Sequence, residues 1–216
     1  IIIAGVPHHI VQRGNRRQQT FFEDGDYTLF LNLFSSIAKP LGVKLWAYCL
    51  MTNHFHLLAL PTTAVGLSET MRQTQSAYAR IINYRHGWSG CLWQGRFRSS
   101  PLDDIHTIRV ARYVELNPVR AGMVTKPEHY PWSSAASHVT GTFDRYLDDC
   151  SFLPKSGDWK TFLSETGETY ESECNSIRTK TSAGRPLGGD SFLSKLEMES
   201  GRVLRAQKRG PKTISG

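Results

Sequence analysis

Apolar and polar positions alternate in two neighbouring stretches, Val43–Leu50 (VKLWAYCL) and His54–Leu60 (HFHLLAL). Each reads as a strand, and the tight connection Met51-Thr52-Asn53 predicts an antiparallel hairpin. His8–Arg13 (HHIVQR) reads as a further short strand, closed by the turn residues Gly14 and Asn15. Helical spacing takes over at Tyr27, Phe30, Leu31, Phe34 and Ile37, with Asp24 or Asp26 as the cap and a stop near Pro40 and Gly42. A second helix is expected over Leu67–Tyr84. A third runs from Asp104 to Leu116 behind the cap Asp103. Pro118 disfavours helical backbone at the residue before it, so Asn117 should sit at that helix's end. Between the last two helices, Trp88–Ser100 (WSGCLWQGRFRSS) interleaves aromatic, basic and glycine residues, as in a hairpin or ordered loop.

Beyond residue 120 the pattern weakens. Trp132–His138, Asp158–Glu165, Tyr170–Arg178 and Asp190–Glu199 read as helices, and Ser182–Gly189 (SAGRPLGG) as a linker. Arg202–Lys212 is a basic tail expected to be flexible. The division that follows is 1–140 as the main domain, 141–183 as a helical extension and 184–216 as the tail.

The charge balance bears on the partner. Lys plus Arg is 26 against 19 Asp plus Glu in 216 residues, a net +7. A balance of this kind suits a polyanion or an anionic membrane surface without choosing between them. Apolar residues make up 39%, enough for a core, so a mostly disordered chain is excluded. No apolar run approaches the ~20 residues of a membrane span. The apolar opening Ile1–Val6 has neither a basic flank nor a small-residue cleavage site, so it is not expected to be a leader. Cys49, Cys91, Cys150 and Cys174 are widely spaced with no Cys-x-x-Cys, which points to a reducing cytoplasm.

The candidate chemistry starts at His54-Phe55-His56. Alternation along a strand puts both imidazoles on one face and Phe55 on the other. Two histidines so placed can share a divalent cation, or can be an ordinary hydrogen-bonded pair on a sheet. On the third helix, Tyr113 and Asn117 are four residues apart and share a face. If that face packs over the histidines, Asn117 offers an oxygen ligand. Tyr113 then offers a phenol beside the metal, able to attack a phosphodiester once activated. A half-buried structural tyrosine is the plainer reading.

MTNHFHLL (Met51–Leu58), HGWSGCLWQGRFRS (His86–Ser99) and ARYVELNPVRAGMV (Ala111–Val124) together resemble the REP-associated tyrosine transposases. These are relatives of the single-tyrosine HUH transposases of small insertion sequences. GVPHHIVQRGNRRQ (Gly5–Gln18), YPWSSAASH (Tyr130–His138) and GRPLGGDSF (Gly184–Phe192) extend the likeness over most of the chain, in order. The resemblance implies an α+β fold, a ferredoxin-like antiparallel sheet flanked by helices, with a mostly helical C-terminal extension. It implies a metal-dependent single-stranded DNA endonuclease and strand transferase that forms a 5′-phosphotyrosine intermediate beside hairpins of repetitive extragenic palindromes. Residue by residue, it makes Tyr113 the nucleophile and His54, His56 and Asn117 the ligands of Mg2+ or Mn2+. Two imidazoles, an amide oxygen and phosphate oxygens suit such a hard ion better than zinc.

The candidate DNA contacts are Arg13, Asn15, Arg16 and Arg17 around the first turn, then Trp93, Gln94, Arg96, Phe97 and Arg98, and Arg120. Arginine can fork a phosphate, and exposed rings can stack on unpaired bases. Trp93 and Phe97 can equally alternate into the core, and Arg120 can simply face a helix C-terminus. Partners expected from the resemblance are single-stranded DNA and DNA hairpins, with the protein a monomer or homodimer. A non-catalytic hairpin-binding protein is the alternative. A zinc hydrolase lacks a third strong ligand near the motif.

Overall fold

The computed structural model describes residues 1–149, 153 and 156–205. Four strands form one antiparallel sheet: β1 (His8–Arg13), β2 (Val43–Met51), β3 (His54–Pro61) and β4 (Arg98–Pro101), in the spatial order β2-β3-β1-β4. Helix α1 (Asp24–Ala38) connects β1 to β2, and α2 (Ala64–His86) connects β3 to β4. The order βαββαβ with these strand neighbours is the ferredoxin-like arrangement, an α+β fold. Among the described residues six further helices follow: α3 (Asp104–Glu115), α4 (Asn117–Arg120), α5 (Ala135–Thr140), α6 (Ser156–Ser164), α7 (Glu168–Ser182) and α8 (Asp190–Ser200). The C-terminal part is therefore mostly helical, as expected.

The hydrophobic pattern explains the two sides of the sheet. Ile10, Phe55, Leu57 and Ala59 pack with Phe30, Phe34, Leu67 and Tyr78 of α1 and α2. Leu58, Ala47 and Cys49 pack on the opposite side with Val110 and Val114 of α3 and with Cys174 and Ile177 of α7. Along β2 the inward set switches from Val43 and Leu45 to Tyr48 and Leu50. The pairing with β3 slips between Leu45 and Ala47, and an extra residue there turns the alternation over.

Local chemistry sets the boundaries. The cap of α1 is Glu23, one residue before the expected Asp24. Its side chain accepts the Asp26 N–H while the Asp26 carboxylate accepts the N–H groups of Glu23 and Phe22. Asp103 caps α3 as anticipated, accepting the His106 N–H at 2.8 Å. Asn117 does not end the helical path. Leu116 leaves helical geometry, and the chain restarts at once as α4 with Pro118 in its first turn. A missing N–H costs nothing there.

Two C-terminal expectations need correction. Leu187, in the segment that reads as a linker, is buried and joined to the sheet edge: its N–H donates to Pro101 O and its carbonyl accepts from Asp103 N. Arg205, in the tail expected to be flexible, is paired with Glu197 and Asp190. The tail from residue 206 onward lies outside the described residues, as does Cys150. The other three cysteines are free thiols. No helix among the described residues is long and apolar enough to cross a membrane.

Candidate active site

Strand alternation delivers His54 and His56 to the α3 side of the sheet, their rings edge to face with centroids 5.1 Å apart. Phe55 goes the other way, fully buried against Phe30 and Trp93. The antiparallel pairing of β1 with β3 sets Val11 opposite His56 and Arg13 opposite His54. Helix α3 lies over this face and puts the Tyr113 ring 5.6 Å from the His56 ring, edge on. The sheet and the helix thus bring the predicted nucleophile beside His56, with His54 as the next ring along the strand.

Each histidine has one nitrogen already engaged. His54 Nδ1 donates to Asn53 Oδ1 at 2.6 Å, and the Asn53 amide is oriented by its own Nδ2 donating to Arg17 O. His56 Nδ1 lies 2.9 Å from His9 Nε2. Nε2 is therefore the nitrogen left for a ligand on each ring. Burial pushes the His54 imidazole down to about 4, and burial with neighbouring His54, His9 and Arg120 holds His56 well below its usual value. Both are neutral at pH 7, the form that binds metal.

Asn117 is one turn beyond Tyr113 and nearly buried. Its Nδ2 donates to the carbonyls of Tyr113 and Val114, at 3.1 and 3.2 Å. Any contact to a cation must come from its Oδ1. Among the described residues no group of three His, Cys, Asp or Glu side chains could hold a metal. The donor set here is two neutral imidazoles and one amide oxygen. It fits an ion that completes its shell with phosphate oxygens and water.

A groove of about 600 Å³ opens at Tyr113 and His56. Arg13, Arg17, Arg96, Arg98 and Arg178 line it together with Gln94, and among the described residues no carboxylate does. Gly14 makes the tight turn beside Arg13. A Cβ there would meet Gln18 O at 2.3 Å. The turn then passes through Arg16 and Arg17, both at positive φ, a conformation that side chains carry at a cost. Asn15 is half-buried and donates through its N–H to Leu92 O. Arg16 is exposed but is not among the residues lining the groove.

Trp93 goes into the core, where its Nε1–H donates to Gln75 O and its ring meets Phe21, Phe55 and Tyr78. A ring so enclosed is not open for base stacking, and of the two readings of Trp93 the structure takes the core one. Phe97 is half-buried against the same core. Arg120 stands with its guanidinium 4.0 Å over the Tyr113 ring, donating to Tyr113 O and to the Tyr170 hydroxyl. It braces the tyrosine rather than lining the groove.

Several groove residues escape sequence reasoning. Arg178, Thr179, Thr181 and Ser182 come from α7, with no local pattern to mark them. His9 carries a usable signal. Adjacent strand residues face opposite sides, so one of His8 and His9 had to share the face of His56. That one is His9.

The sheet is thus ferredoxin-like, with a His-Phe-His strand beneath the helix that carries Tyr113. The model of the IS200-like transposase family matches residues 3–117, and the chain belongs to that family. A solved structure of a REP-associated tyrosine transposase bound to a REP hairpin is similar at 18% identity with a TM-score of 0.57, covering 78% of this chain and 89% of that one. That likeness speaks for the fold. A protein of Deinococcus radiodurans R1 described as a transposase is 19% identical, with a TM-score of 0.38, 52% of this chain and 91% of that one being covered. Among curated proteins none matches the sequence.

Proposed function

We propose that this transposase-family chain nicks and rejoins single-stranded DNA through Tyr113. The Tyr113 oxygen attacks the phosphorus, the bond to the 3′-oxygen breaks, and the phenol proton is balanced by the one the 3′-hydroxyl gains. The products are a 5′-phosphotyrosine and a free 3′-OH. Attack by a 3′-OH on that link reverses the step and transfers the strand. The observation that carries this reading is the Tyr113 ring beside His56 at the head of a groove that, among the described residues, five arginines and no carboxylate line.

His54 and His56 through Nε2, and Asn117 through Oδ1, would hold Mg2+ or Mn2+. When bound, the ion supplies charge neutralisation at the non-bridging oxygens. The arginines bind and orient the strand. Arg120 restrains the tyrosine backbone and ring. The partner class is single-stranded DNA next to a hairpin, in line with the hairpin named for the similar solved structure. The reading assigns catalysis to residues 1–140, with the 141–183 extension lending α7 to the groove and 184–216 following as the tail.

The test is a denaturing gel of the protein with repeat-derived oligonucleotides and Mn2+. A covalent adduct should form and should vanish in Tyr113→Phe while hairpin binding persists. Tight binding with no adduct in any divalent metal would favour the non-catalytic binder instead.

A further inference from the structure

His9 is 1% exposed and hydrogen-bonded at both ring nitrogens. Its Nε2 is 2.9 Å from His56 Nδ1, and its Nδ1 is 2.9 Å from the Thr181 hydroxyl at the end of α7, 172 residues away in sequence. We propose that His9, backed by Thr181, is a positioning residue that supports the metal-binding tautomer of His56 and so makes α7 part of the metal site. This rests on the reading of His56 as a metal ligand.

Among the described residues no carboxylate is a hydrogen-bond partner of either ring, so each buried imidazole carries one proton. One proton must lie between His9 Nε2 and His56 Nδ1 for that contact to be a hydrogen bond. If it belongs to His56, then His56 Nε2 is a lone pair, ready for a cation. His9 Nε2 is the acceptor, and His9 Nδ1–H donates to Thr181 Oγ1. If it belongs to His9, then His56 carries its proton on Nε2 and the ligand position is blocked. His9 Nδ1 then accepts from the Thr181 O–H.

The hydroxyl both donates and accepts, so it completes either register; a cation at His56 Nε2 takes the first, and Thr181 Oγ1 then accepts the His9 Nδ1–H that this register would otherwise leave buried without a partner. The neighbouring ligand has no such freedom. Asn53 presents only a carbonyl oxygen to His54 Nδ1, because its NH2 group is committed to Arg17 O. His54 is thus fixed from within its own hairpin, whereas the register His56 needs is completed from the C-terminal helix. Partners of this kind typically change metal affinity by about 10–100-fold when removed.

The experiment is Mn2+ titration of the full chain followed by electron paramagnetic resonance. His9→Phe keeps a ring but removes both nitrogens, and should weaken Mn2+ by about 10–100-fold. Thr181→Val should weaken it in the same direction, and Thr181→Ser, which keeps the hydroxyl, should restore wild-type affinity. Nitrogen-15 spectra of the Mg2+-loaded wild type should show His56 as the Nδ1–H tautomer, and metal-free Thr181→Val should show a shifted tautomer ratio. Where His9→Phe does not fold, Thr181→Val and its spectra decide. If His56→Ala abolishes Mn2+ binding while His9→Phe or Thr181→Val leaves both affinity and tautomer unchanged, the proposal is overturned. If His56→Ala itself binds Mn2+ normally, the metal-site reading has failed instead.

Discussion

The two faces of the sheet differ in what they pack around the strands. Toward α1 and α2 the contacts are dominated by rings: Phe21, Phe30, Phe55, Tyr78 and Trp93 meet one another at centroid distances of 4.7 to 6.4 Å. Toward α3 and α7, buried polar groups are threaded between apolar ones: His9, His56, Arg112, Glu115, Asn117 and Thr181. Burying polar groups costs free energy that hydrogen bonds only offset, so the second face is a poor way to gain stability. It is where reactive groups can be held at fixed spacing in a low dielectric. The first face holds the sheet still, and the second uses that rigidity.

The largest effect should come from the ring face. Phe55→Ala removes a fully buried side chain from between Phe30 and Trp93, and should destabilise the fold by about 3–5 kcal/mol in denaturant unfolding. A loss well under ~1 kcal/mol would mean this face is not the anchor of the domain.

Next is a polar substitution on the opposite face. Glu115 is fully buried, and its carboxylate accepts from Ser134 Oγ, Trp159 Nε1 and His138 Nδ1. It ties α3 to α5 and α6 from behind, two residues from Tyr113. Glu115→Gln keeps the volume but sets an amide N–H against one of these donors. A loss of about 1–3 kcal/mol in the same unfolding assay is expected. Unchanged stability would show that the polar face tolerates rearrangement as freely as a surface does.

These two faces were not equally readable from the sequence. The ring face follows simple periodicities, so β2, β3, α1 and α2 emerge within about two or three residues of their observed ends. The histidine pair was legible because alternation alone decides which face it takes. Thr181 was not, because its partner is 172 residues away and nothing near Thr181 encodes that contact. The four-residue β4 was hidden within a run whose arginines mask any alternation. Trp93 was ambiguous because one aromatic residue near basic ones fits a core and a stacking platform equally well. Only the packing around it decides.

A smaller effect separates the faces by pH. His8 is fully buried on the ring side of the strand, with Nδ1–H donating to Val6 O and Nε2 accepting from Ile3 N. Burial brings it from 6.5 down to about 4. Above pH 6.5 it is neutral whether folded or unfolded, and stability is complete. Below 6.5 the unfolded chain takes up a proton that the folded one refuses, so stability falls until the pH reaches about 4. His8→Gln should flatten this decline by no more than ~1.4 kcal/mol per pH unit, the amount due to one proton. His9, at about 3, and His54, at about 4, should keep the remaining slope. Unfolding curves between pH 7 and 4 would read both, and an identical slope in the variant would place the acid sensitivity on the other face.

The smallest change in the fold should come from the rim of the polar face. Arg178 is exposed, donates to Asn175 Oδ1 within its own helix, and lines the groove together with Arg96 and Arg98. Its removal should shift stability by no more than about 0.5 kcal/mol. Binding should respond differently. Each phosphate released from a single-stranded complex lowers the slope of log affinity against log salt by about 0.7. Arg178→Ala should lower it by that amount, and Arg205→Ala, whose guanidinium is occupied by Glu197 away from the groove, should not. Equal slopes for Arg178→Ala and wild type would confine the DNA contacts to the sheet, its first turn and the loop before β4. A reduced slope would make α7 a wall of the groove by electrostatics, independently of whether Thr181 supports the tautomer of His56.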